Sequence, residues 1–137
     1  MNEYNFEISF RITHPFMSPD TICGLLSMET DIKRKVGEAR YNPKGKPLLG
    51  VWKETYCGFD VPRKEGDSIP ECLEDMLNEL KHRRSGIEQI HSSGGNLEFY
   101  ILSVPKELTF GEKFSWKILM GLANLKIDLS LEVHEPG

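Results

Sequence analysis

The chain has three cysteines, Cys23, Cys57 and Cys72, too few and too scattered for a stapled scaffold. The number is odd and no CxxC occurs, which argues against a disulfide framework and against a zinc knuckle. They read as buried thiols in a reducing cytosol. Long hydrophobic runs are also missing. The longest mostly apolar stretch, Ile118 to Ala123, falls far short of the roughly 20 residues a membrane span needs. The opening residues, Met1 to Glu7, are acidic and alternating, so neither a secretory signal nor a transit peptide is expected there. Signatures of catalysis are lacking too. There is no HExxH, no GxSxG, no GxGxxG and no phosphate-loop motif. The four histidines, His14, His82, His91 and His134, show no metal spacing and are expected at the surface. The reading is therefore no catalytic residue, no metal and no cofactor. A triad assembled from distant residues stays open at this stage.

What is present suits a globular protein. A chain of 137 residues is expected to form one domain, 1–137, with a core of its own. The net charge is −4, unevenly spread. Residues 31–46 carry six cations (Lys33, Arg34, Lys35, Arg40, Lys44 and Lys46) against Asp31 and Glu38, which makes that stretch +4 and the remainder −8. Such imbalance bears on partners, not on fold.

Strict alternation marks both ends of the chain. Tyr4, Phe6, Ile8, Phe10 and Ile12 alternate with polar residues up to His14-Pro15. Leu125, Ile127, Leu129, Leu131 and Val133 do the same against Lys126, Asp128, Ser130, Glu132 and His134. Each pattern predicts a strand with one buried and one wet face. Ser18-Pro19-Asp20 predicts a capped helix with Ile22, Leu25 and Leu26 inside, ending near Met28. Ile32–Val36 and Leu48–Phe59 read as a pair of strands joined by a polar loop. Ser68 and Glu71 form a capping box for a helix burying Leu73, Met76, Leu77 and Leu80, with Gly86 as its left-handed stop. Ile87–His91 and Leu97–Val104 then read as a hairpin around Gly94-Gly95, the second strand central. A second capping box at Thr109–Glu112 opens a third helix with Phe114, Ile118, Leu119 and Leu122 inside, closed by a left-handed Asn124. The expected fold is α+β: a mixed, mainly antiparallel sheet of about six strands with three helices on one face. Its first six elements make a ferredoxin-like unit, to which a strand-helix-strand is added.

The first sixty residues also resemble a known family. An alternating strand, Ser18-Pro19 with Ile22 and Leu25 in a short helix, a basic strand ending at Gly37, a polar loop and Trp52 in the next strand are similar to a bacterial domain of unknown function, number 4279. The later amphipathic helix and the closing helix and strand extend the likeness over most of the chain. Where members of the family often have Leu-Gly at the end of the first helix, Leu26-Ser27 stands here. The resemblance implies a small bacterial cytoplasmic α+β domain and assigns no catalytic residue.

Two surfaces are candidates for function. Glu71, Glu74, Asp75, Asn78 and His82 share one face of a predicted helix, spaced to present acidic charge to a protein partner. An acidic module of this kind fits an immunity protein that covers a basic toxin. The basic patch of Lys33, Arg34, Lys35, Arg40, Lys44 and Lys46 can hold phosphate or simply guard a sheet edge. The edge reading is preferred, and nucleic acid is not the expected partner of an acidic chain. A homodimer through the open face or the edges is the other expected partnership. The competing reading is a small-ligand domain or enzyme with a pocket between sheet and helices, lined by Trp52, Tyr56, Tyr100 and Trp116.

Overall fold

A computed structural model of the chain describes residues 4–106 and 111–135. The elements run β1 (Tyr4–His14), α1 (Pro19–Leu26), β2 (Ile32–Arg34), β3 (Ala39–Tyr41), β4 (Pro47–Val51), β5 (Thr55–Asp60), α2 (Ile69–Lys81), α3 (Arg84–Ser92), β6 (Asn96–Pro105), α4 (Trp116–Leu125) and β7 (Ile127–Val133). The main sheet has the order β2-β5-β1-β6-β7. Every neighbouring pair in it is antiparallel except β6 and β7, which run parallel. The hairpin β3-β4 stands apart as a second, two-stranded sheet. The fold is thus α+β with a mixed, mainly antiparallel sheet. Among the described residues the main sheet has five strands rather than about six, and the helices number four rather than three.

Alternation in β1 sets the layering. Phe6, Ile8, Phe10 and Ile12 are buried, while Asn5 and Glu7 on the other side are exposed. The Phe10 ring lies 5.8 Å from Phe59 and 5.2 Å from Phe99, tilted against both. Each such pair contributes about 0.5–1.5 kcal/mol beyond simple burial. Ile22 and Leu26 of α1, Leu73 and Leu80 of α2, Ile87 and Ile90 of α3, and Ile118 and Leu122 of α4 join these rings in one core. The helix starts follow their caps. Ser18 accepts from the Thr21 amide at 3.2 Å, and Ser68 and Glu71 exchange both bonds of the capping box.

The expected strand at Ile87–His91 is instead helix α3. Five residues with Ile at each end of a four-residue run fit either period. Burial of Ile87 and Ile90, three apart, decides for the helix. The hairpin expected at residues 92–96 is consequently a helix-to-strand link. Gly86 is no left-handed stop but a buried member of α3. A Cβ there would fall 2.3 Å from the Leu25 carbonyl oxygen, so glycine is what lets α1 and α3 touch. The strand expected over Leu48–Phe59 breaks into β4 and β5. Its break is held by Trp52 N–H to Glu38 O at 3.0 Å and Gly37 N–H to Trp52 O at 2.9 Å. That pairing also turns part of the expected polar loop into β3.

The last helix begins later than expected. Ser115 is its cap, accepting from the Ile118 amide at 3.4 Å. Thr109 and Phe110 of the expected capping box lie outside the described residues. The left-handed stop is Lys126, with φ 56°, not Asn124. Leu119, expected inside, is half exposed. In β7 the alternation is as read, but burial fades along it. Ile127 is buried, Leu129 half-buried, and Leu131 and Val133 are each 48% exposed.

Candidate functional site

The acidic candidate surface is the outer face of α2. Glu71, Glu74, Asp75, Asn78 and His82 are all exposed there, as their spacing implies. Two of them have local duties. Glu71 Oε1 accepts from the Ser68 amide at 3.2 Å, and His82 is the residue that closes the helix. Glu74 and Asp75 have no ion-pair partner among the described residues. Beside this face runs a groove of about 610 Å³ whose lining includes the buried Val61 and Met76 and the exposed Pro62, Asp75, Asn78 and Glu79. Among the described residues Lys64 is the one cation in that lining. The groove therefore combines apolar and mainly acidic lining. Its Cys72 thiol is buried and pushed up in pKa by desolvation, then by nearby Asp67, so it is held neutral.

The residues of the basic patch are spread over several elements. Lys33 and Arg34 lie on edge strand β2, Arg40 on β3, and Lys44 and Lys46 at the hairpin tip. The tip is held by Asn42, whose Oδ1 accepts from both lysine amides at 2.9 Å. What the structure gathers instead is a stack around Trp52. The Arg34 guanidinium lies 4.6 Å from the Trp52 ring and 5.4 Å from Tyr56, and Arg40 lies 5.1 Å from Trp52. Lys33 approaches Asp20 at 3.8 Å across the mouth of a groove of about 540 Å³. Asp20 and Glu38 share that groove with Lys33, Arg34 and Lys35, which lowers its pull on anions.

The four aromatics expected to line an internal pocket do not converge. Trp52 and Tyr56 belong to the arginine stack, Tyr100 sits under Arg11 on the open face of the sheet, and Trp116 is 65% exposed on α4. Phenylalanine, aliphatic, methionine and cysteine side chains make up the core between sheet and helices.

Two polar arrangements escaped the sequence reading. On the open face, Arg11 lies 3.8 Å from the Tyr100 ring, the Tyr100 hydroxyl donates to Glu132, and Glu132 pairs with His134. Alternation alone placed these residues on the wet side; only the register of β1, β6 and β7 brings them together. The second is His14, expected at the surface and in fact fully buried. Its Nδ1 accepts from the amides of Met17 at 2.9 Å and Phe16 at 3.2 Å. Its Nε2 therefore carries the proton and donates to Ser93 Oγ at 2.8 Å. Burial holds its pKa below the ordinary histidine value, so the ring is a neutral tie between the end of β1, the entry to α1 and the end of α3. A histidine on the inward parity of β1 was the available signal. Cys57 is likewise buried, and desolvation with the neighbouring Cys23 pushes its pKa up to about 12. Among the described residues no three His, Cys, Asp or Glu side chains are placed to hold a metal ion. No helix there is long and apolar enough to cross a membrane.

Residues 2–135 match the family described as Domain of unknown function (DUF4279). The chain belongs to that family. No curated protein and no solved structure matches it. The DUF4279 match covers both surfaces, the acidic face of α2 and the arginine stack at β2, together with the core beneath them.

Proposed function

We propose that this DUF4279 domain is a non-catalytic module that binds a basic surface of another protein through α2, as an immunity protein covers a toxin. One observation carries the reading. Glu74, Asp75 and Asn78 stand exposed at a groove of about 610 Å³ whose lining includes Val61, Pro62 and Met76. Apolar surface beside mainly acidic charge is suited to a basic partner, which it steers during encounter and holds by burial. The excess negative charge outside residues 31–46 strengthens the steering. We also take β1, α1, β2, β5, the helices α2 and α3, and β6 as the ferredoxin-like unit. In support, these strands lie in the order β6-β1-β5-β2 with every neighbouring pair antiparallel.

The test is co-expression with the products of the genes that flank this one. A flanking product is expected to co-purify and, if toxic, to be neutralised. Glu74→Lys with Asp75→Lys is expected to slow association at least about tenfold at low salt, with the circular dichroism of the free domain unchanged. The reading is lost if no flanking product binds, or if the charge reversal leaves association as it was.

A further inference from the structure

We propose that two copies of this chain associate edge to edge through β7, antiparallel, with Leu129 of one copy opposite Leu129 of the other. This goes beyond the α2 reading and uses a different surface.

The backbone supplies the first argument. The His134 amide, just past the end of β7, donates to the Ser103 carbonyl of β6 at 2.9 Å. Successive residues of a strand turn their amide and carbonyl groups to opposite sides. Asp128, Ser130 and Glu132 therefore face β6, while Ile127, Leu129, Leu131 and Val133 turn theirs outward. Among the described residues no strand lies on that side. The edge is seven residues long and contains no lysine, arginine or proline to discourage pairing.

Side chains supply the second. The residues with outward backbone groups also point their side chains to the helix side of the sheet. There Leu131 and Val133 are left half exposed. Above them α4 shows Trp116 and Leu119 to solvent. Gly121 marks the flank of α4 that meets α2, since a Cβ there would lie 3.2 Å from Leu77. Leu119, two residues earlier, is turned about 160° away around the helix. Its flank overhangs the free edge of β7, where a second copy would bring the same flank to meet it.

Charge disfavours one register and allows the proposed one. A two-fold contact pairs the surface with itself. Centring the seam on Ser130 would set Asp128 opposite Glu132, like charge on like. Centring it on Leu129 sets Asp128 opposite Ser130, Lys126 opposite Glu132 and Ile127 opposite Leu131. The second arrangement is free of that clash and continues the sheet across the dimer with all helices on one side.

Light scattering on the purified full chain at about 100 μM, enough to populate a dimer of micromolar Kd, is expected to give twice the monomer mass of 15.7 kDa. Leu131→Pro removes one outward amide and leaves the β6 ladder intact, so it is expected to give a folded monomer. Leu119→Lys is expected to raise the dissociation constant at least about tenfold by placing a cation in the seam. A monomeric parent chain overturns the proposal. So does a dimer that withstands both substitutions, or one that a folded Leu131→Pro variant keeps. Should Leu131→Pro fail to fold, Leu119→Lys on the exposed helix face decides, and an unchanged dimer overturns the proposal.

Discussion

At one edge of the sheet, β2 offers three residues, two of them cations; at the other, β7 offers seven residues and no lysine or arginine. The β2 edge is guarded several times over. It is short, it carries Lys33 and Arg34, and Arg34 is held against Trp52 and Tyr56. A strand approaching it would have to bury charge and displace a stacked guanidinium. The β7 edge has no such guard, and its apolar residues emerge from under α4 toward its end. The difference teaches that the two edges of one sheet can differ in length and in charge, so that the proposed self-pairing has one edge suited to it and one that is not.

Three measurements sharpen or break the contrast. The largest effect belongs to Ser130→Pro. Ser130 turns its amide toward β6, so proline there removes a ladder bond inside the fold and is expected to cost about 3 kcal/mol in urea unfolding. Leu131→Pro, one residue on, is expected to cost much less when both variants are measured as monomers at low concentration. Equal losses would mean that the outward-facing row has been misassigned and that the β7 edge is not free. Next comes Trp52→Ala. It releases Arg34 and Arg40 together, at an expected cost of about 1–2 kcal/mol from two stacked cations. A loss below a few tenths would show that the β2 edge is not held by its stack.

The smallest effect is a pH dependence from His14, at the end of the central strand between the two edges. Its folded pKa lies below the ordinary 6.5, so below that pH the unfolded chain binds more protons than the folded one. The contribution of His14 is expected to be constant above about pH 6.5 and to fall as the pH drops below it. His14→Gln is expected to flatten this slope in urea midpoints measured between about pH 8 and pH 5. An unchanged slope would assign it to other groups.

Much of the fold was legible. Helix caps at Ser18 and Ser68 stand where residue chemistry places them, because a cap is a contact between residues three apart. The alternation in β1 and β7 was equally plain. The errors have a common source. Ile87–His91 is too short for its period to be read alone, and the Gly86 contact with Leu25 that secures α3 spans sixty-one positions of sequence. Lys126 takes the left-handed stop because α4 must end where β7 begins beside β6, a requirement no local pattern expresses. Of the candidate surfaces, the α2 face was readable because five residues on one helix need no partner to be brought together. The arginine stack was not, since Arg34, Arg40 and Trp52 come from separate elements.

The order of residues by itself determined the element types with strong periods, the helix starts, the face each long strand buries and the charged face of α2. These are consequences of repeat and of neighbours within one turn. Tertiary structure alone decided that His14 is buried and neutral, that Arg11 meets Tyr100, that Arg34 and Arg40 both lie against one indole, and that β2 and β7 are the two edges of the main sheet. Each of those depends on which strands lie side by side and in what register. That is set by how the whole set of apolar faces closes over one core, and no single segment carries that information.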